Sequence, residues 1–75
     1  MLTKNDEPIQ NGYYWIKTAG HEIRLIERRA AGYWRLISDI QGPSDSYPFA
    51  WWCENLIVLA VEPVKPASWI KEGGA

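Results

Sequence analysis

Gly12-Tyr13-Tyr14-Trp15-Ile16-Lys17-Thr18, Glu22-Ile23-Arg24-Leu25-Ile26-Glu27-Arg28 and Tyr33-Trp34-Arg35-Leu36-Ile37-Ser38 carry the reading of the fold. The first run is rich in aromatic and β-branched residues, which suit a pleated, half-buried surface. The second alternates apolar and charged residues until Leu25-Ile26 breaks the period, a slip that predicts a β-bulge at that point. The third sets Trp34 and Leu36 on one face and Tyr33, Arg35 and Ile37 on the other. Between the runs lie Ala19-Gly20-His21 and Ala30-Ala31-Gly32, short glycine-marked connections that read as tight turns. A helix over these residues is excluded, because Gly20 and Gly32 interrupt it and no apolar stripe at three-to-four spacing survives. The stretch predicts an antiparallel meander.

Before it, residues 1–11 are polar and contain Pro8, so they read as an arm leading to the first strand. After it, Asp39 to Ser46 carries Gly42-Pro43 and small polar residues, the composition of a loop. Tyr47-Pro48-Phe49-Ala50-Trp51-Trp52-Cys53-Glu54-Asn55 is open to three readings: a helical turn, a short edge strand or an ordered loop. Leu56 to Glu62 is the most strand-like run, with Ile57, Leu59 and Val61 on one face. Val58 and Ala60 on the other face are apolar too, which predicts a strand that is central or covered on both sides. Pro63 and Pro66 end it, since proline cannot donate to a ladder. Residues 67–75, closing in Gly73-Gly74-Ala75, read as a frayed tail. The expected fold is a single all-β domain over residues 1–75, its core in residues 12–66, with four to five antiparallel strands curled into an SH3-like barrel or half-barrel.

The 75 residues are 47% hydrophobic, which argues against disorder and for one small domain. Five tryptophans, four tyrosines and one phenylalanine supply more aromatic surface than one small core face needs. Met1 to Glu7 is polar and does not resemble a signal peptide. Leu56 to Val61, the longest apolar run, is too short to span a bilayer. A soluble, cytoplasmic protein is expected, with no membrane partner and no cofactor.

Net charge is −1, so nothing draws the whole chain to nucleic acid. The charges are nonetheless uneven. Lys17, Arg24, Arg28, Arg29 and Arg35 stand against Glu22 and Glu27 from Ile16 to Arg35, whereas Leu36 to Val64 holds Asp39, Asp45, Glu54 and Glu62 with no Lys or Arg. Either the two halves attract each other across adjacent strands, or they form opposite surface patches that steer a partner.

One cysteine and one histidine fall short of a zinc site. Cys53 as a nucleophile with His21 as its base would need a third, orienting group and an electropositive setting, yet Cys53 sits beside Glu54 in the acidic half. No catalytic residue is assigned. The best basic patch is Arg24, Arg28, Arg29 and Arg35, with Tyr33 as a stacking surface for a single-stranded nucleic acid; the competing reading pairs these arginines with Glu22, Glu27 and the acidic half. The most unusual constellation is Tyr47, Phe49, Trp51 and Trp52. On an extended backbone Trp51 and Trp52 face opposite ways, so one is expected in the core and the other at the surface. The exposed member would anchor a protein interface rimmed by Asp45 and Glu54.

Gly12-Tyr13-Tyr14-Trp15-Ile16, an Ile/Leu/Glu strand and Gly32-Tyr33-Trp34-Arg35-Leu36 together resemble a class of short uncharacterised phage and prophage proteins. In that class a Gly-aromatic-Tyr-Trp-Val strand precedes a charged strand and an aromatic-Trp strand. An apolar strand followed by prolines closes it, as Leu56 to Pro66 does here. The likeness spans residues 8–66 and departs at Tyr47 to Asn55, which is longer and richer in tryptophan. It implies an SH3-like domain of phage origin and brings no catalytic residue.

The expected function is a non-enzymatic binding module, a phage accessory protein that docks on a host or phage protein. Inhibition of a host factor is implied only by the resemblance and the small size. A nucleic-acid-binding module built on the four arginines is the alternative, and a virion or assembly component is third. If a weak homodimer forms, Tyr47 to Asn55 is where it is expected.

Overall fold

Strands β1 (Gly12–Thr18), β2 (Ile23–Arg28) and β3 (Tyr33–Ile37) form the meander, β4 (Tyr47–Pro48) adds to its far edge and β5 (Val58–Glu62) returns to pair with β1. The computed structural model that shows this describes residues 1–38 and 42–72. Every neighbouring pair is antiparallel, in the order β4-β3-β2-β1-β5. Helix α1 (Phe49–Leu56) joins β4 to β5, and helix α2 (Ala67–Glu72) follows β5. The result is a curled antiparallel half-barrel, the mostly β fold that the meander predicts.

Register decides which side chains meet. Tyr14, Ile26 and Leu36 lie opposite one another across β1, β2 and β3, and Trp34 stands in the adjoining inner row. Tyr14, Ile26 and Trp34 form one buried cluster with Ile16, Val58 and the α1 residues Phe49, Trp52 and Cys53, and the partly buried Leu36 packs against it. Ile16, Ile26, Trp34 and Val58 are fully excluded from water. The outer face carries the row Trp15, Leu25, Ile37 and the row Tyr13, Glu27, Arg35. After β5 the chain turns back toward that face, for the Lys65 ammonium lies 4.6 Å from the centre of the Trp15 ring.

Four details depart from the sequence reading. β2 holds its register against both neighbours through Leu25 and Ile26, so no bulge lies there. Leu25 simply belongs to the outer apolar row. The register shift is in the β1–β5 pairing instead, where Lys17 faces Ala60 and Thr18 faces Val58. Leu59 is the extra residue, which sets Val58 and Val61 on the inner side and leaves Leu59 and Ile57 exposed. The expected Ile57-Leu59-Val61 face is therefore replaced by Val58 and Val61.

The tail is also more ordered than its composition implies: Ala67–Glu72 is helical and Trp69 is buried, outside the inner cluster. Only Gly73-Gly74-Ala75 of that segment, together with Asp39 and its two successors, lies outside the described residues. The arm likewise folds back. Leu2 packs on the core and donates its backbone N–H to the Val58 carbonyl at 2.8 Å. Thr3 and Asp6 then cap a single 3-10 turn reciprocally. Glu7 Oε2 accepts from the Trp34 indole at 2.8 Å and from Arg28 Nε at 3.3 Å. That carboxylate satisfies the polar edge of a buried tryptophan, so the arm is part of the core's hydrogen bonding.

Candidate functional site

Tyr47 to Leu56 is two residues of strand followed by a helix. Pro48 stands at the helix start with φ −60°, a torsion the ring enforces. Phe49, Trp52, Cys53 and Leu56 follow at i, i+3, i+4 and i+7, the spacing that puts four apolar side chains on one helical face. That face closes the half-barrel. Phe49 packs against Trp34 with centroids 5.1 Å apart, and Trp34 against Tyr14 at 5.3 Å. The Trp52 indole donates to the Trp34 carbonyl at 2.9 Å. The helix stops at Ile57, whose left-handed φ of 52° turns the chain into β5 and whose N–H closes on the Cys53 carbonyl.

One of the paired tryptophans is buried and the other is not: Trp52 is 4% exposed and Trp51 37%. The expected division holds, but its cause is a rotation of about 100° between successive helical residues rather than the alternation of a strand. Trp51 stacks on Tyr47 with centroids 4.0 Å apart and an interplanar angle of 15°, and it meets the edge of Trp52 at 4.8 Å. A continuous aromatic contact thus runs from buried Trp52 to the partly exposed Trp51 and Tyr47. Asp45 and Glu54 are exposed, and the Asn55 amide donates to the Trp51 carbonyl at 2.8 Å. Of the six residues expected at an interface, Tyr47, Trp51, Asp45 and Glu54 have surface to offer. Phe49 and Trp52 do not: the helical face that seals the core takes both.

The four arginines do not form one surface. Register sets Arg24 opposite Ile16 and Arg28 opposite Trp34, on the inner side, while Arg35 lies opposite Glu27 on the outer side. Arg28 is bound by Glu7 and by the Asn11 side-chain carbonyl. Arg35 Nε donates to Glu27 at 2.8 Å, and Arg24 lies 3.9 Å from Glu22. Arg29 and Tyr33 are exposed, Tyr33 opposite Pro48. Among the described residues, the ion pairs of these arginines therefore run to Glu7, Glu22 and Glu27.

Cys53 is a buried free thiol, and His21 lies exposed in the β1–β2 turn with φ 65°. Burial pushes the Cys53 thiol up to about 11, and Asp6, Glu7 and Glu54 add to the rise. The thiolate a nucleophile requires is disfavoured there. A mainly apolar cavity of about 220 Å³ lies between the arm at Met1–Lys4 and Ala50, Cys53 and Glu54 of α1. Among the described residues no three of His, Cys, Asp and Glu gather as a metal would require, and no helix is long and apolar enough to cross a membrane.

The arm contacts at Leu2 and Glu7 and the helical face of α1 were not anticipated. Each had a signal: Thr3-x-x-Asp6 is a capping pattern, and Phe49, Trp52, Cys53 and Leu56 keep helical spacing. Compared with family models, curated proteins and solved structures, the chain finds no match in any of the three.

Proposed function

We propose that this chain is a non-enzymatic binding module that docks on a protein partner through the surface ending in Trp51. The observation that carries the reading is the stacked Tyr47–Trp51 pair. It is left at the surface by a helix whose other aromatic residues, Phe49 and Trp52, are buried. A large ring held flat by a neighbour loses little freedom on binding and brings wide apolar area, the properties of an interface anchor. The phage-like strand motifs at Gly12 to Ile16 and Gly32 to Leu36 support the finer reading: a phage accessory protein whose partner is a host protein that it inhibits.

A nucleic-acid role for Arg24, Arg28, Arg29 and Arg35 has less support, because Arg28 and Arg35 are engaged and Arg35 lies on the opposite face of the sheet from Arg24 and Arg28. Affinity capture from bacterial lysate tests the proposal, with Trp51→Ala beside the unaltered chain. A discrete partner retained by the unaltered chain and weakened by about 2 kcal/mol or more on Trp51→Ala is expected. Identical captured sets, or a tight salt-sensitive complex with DNA or RNA lost on Arg28→Ala and Arg29→Ala, would overturn it.

A further inference from the structure

Resting on the docking role proposed for Trp51, we infer that the partner presents a cationic segment whose arginine stacks on that indole. Two carboxylates bracket the stacked rings along the chain. Asp45 lies two residues before Tyr47, and Glu54 lies one helical turn after Trp51, on the same side of α1; both are exposed. No Lys or Arg occurs from Leu36 to Val64, and among the described residues Arg24, Arg28 and Arg35 pair with Glu22, Glu7 and Glu27. Within its own segment the aromatic surface is thus flanked only by carboxylates; Lys4, from the arm, shares the lining of the α1 cavity with Glu54.

An indole face is negative as well, because of its ring quadrupole, so this 37% exposed ring and the flanking carboxylates attract the same charge. The molecule already satisfies one indole in this way, with Lys65 over Trp15 at 4.6 Å. Arginine fits the surface better than lysine. Its planar guanidinium stacks on a ring and still donates sideways to carboxylates. A nucleobase could also stack on Trp51, but its phosphates would meet Asp45 and Glu54. A second copy could offer only its own surface arginines, of which Arg29 is the most exposed candidate.

The test follows the Trp51 indole N–H by NMR in the full chain. Nine-residue Gly/Ser peptides carrying three Arg, three Lys or three Glu are titrated in, and an oligothymidine alongside. The arginine peptide should shift that signal saturably, more tightly than the lysine peptide, while the glutamate peptide and oligothymidine should not. Asp45→Asn with Glu54→Gln should weaken the arginine peptide about 5-fold, and Trp51→Ala, followed through the backbone amide signals of Glu54 and Asn55, about 10-fold or more. An unmoved Trp34 indole signal reports that the variants are folded.

No saturable shift up to millimolar arginine peptide overturns the inference. So does an equal response to oligothymidine or to the glutamate peptide, an unchanged affinity in the charge-neutral variant, or a shift that follows protein concentration alone. A captured partner that needs Trp51 but ignores salt and the two carboxylates would overturn this inference and leave the docking role standing. Loss of the docking role would show separately, as capture indifferent to Trp51.

Discussion

The meander from Gly12 to Ile37 and the segment from Tyr47 to Leu56 are both dense in aromatic residues, yet they divide them between core and surface by different rules. In the meander the period is two: Tyr14 and Trp34 go in, Tyr13 and Tyr33 stay out. In α1 the period is that of a helix, so Phe49 and Trp52 go in and Trp51 stays out. Composition is thus a poor guide to exposure. Two adjacent tryptophans differ in burial because of the backbone that carries them, and the chemistry left at the surface depends on which rule applies.

The sharpest way to break that comparison is to truncate each member of the pair. Trp52→Ala should cost about 3–5 kcal/mol in urea unfolding, enough to unfold a domain this small, because it opens a core cavity and removes the donor to the Trp34 carbonyl. Trp51→Ala should cost under about 1 kcal/mol, since the ring is partly solvated and what is lost is its stacking on Tyr47 and its edge contact with Trp52. Equal costs would show that the helical division carries no energetic weight.

Next in size is the pH dependence that Cys53 brings to the helical half. Its folded thiol is raised to about 11 from an ordinary 9, so it keeps its proton where the unfolded chain's thiol ionises. A raised acid pKa means that the folded state binds more protons, and stability falls as pH climbs from 9 to 11, by something on the order of 2 kcal/mol. Cys53→Ala should lack that part of the slope in denaturation curves taken across the interval. At pH 8 the native thiol should also alkylate about 100-fold more slowly than an unperturbed one.

Glu7 probes the meander's dependence on the arm. Glu7→Ala leaves the buried Trp34 indole N–H without its acceptor and should cost about 1–3 kcal/mol, whereas Glu7→Gln keeps an acceptor and should cost less. Similar losses would assign the effect to the Arg28 ion pair instead. The smallest effect is expected at the end of α1. Ile57 holds a left-handed conformation that a β-branched residue adopts at a cost, and its side chain is 46% exposed. Ile57→Gly should therefore stabilise the domain by about 0.5–1 kcal/mol, measured by thermal unfolding.

Much of this was legible before any coordinates. Alternation in Tyr13 to Thr18 and Tyr33 to Ile37, with turns at Gly20 and Gly32, specified the meander because each strand buries one face. The helix at Phe49 was harder to read. Aromatic residues favour strands as readily as they fill a helical face, and Pro48 can end a strand or start a helix. The bulge was misplaced for a related reason: Leu25-Ile26 breaks the apolar–charged pattern only because the outer face has an apolar row of its own. The six residues proposed for an interface cannot be sorted into buried and exposed from the sequence, since sorting needs the helical phase.

By itself the sequence determined an all-β domain, the pairing of its first three strands and the aromatic nature of its core, all properties that follow from local period and turn chemistry. Tertiary structure alone decided that Leu59 is the bulged residue, that Glu7 closes on Trp34 across a sequence separation of 27, and that Trp51 faces outward while Trp52 is buried. Those outcomes depend on how distant elements share one small volume. No local pattern encodes which of several apolar side chains will fill it.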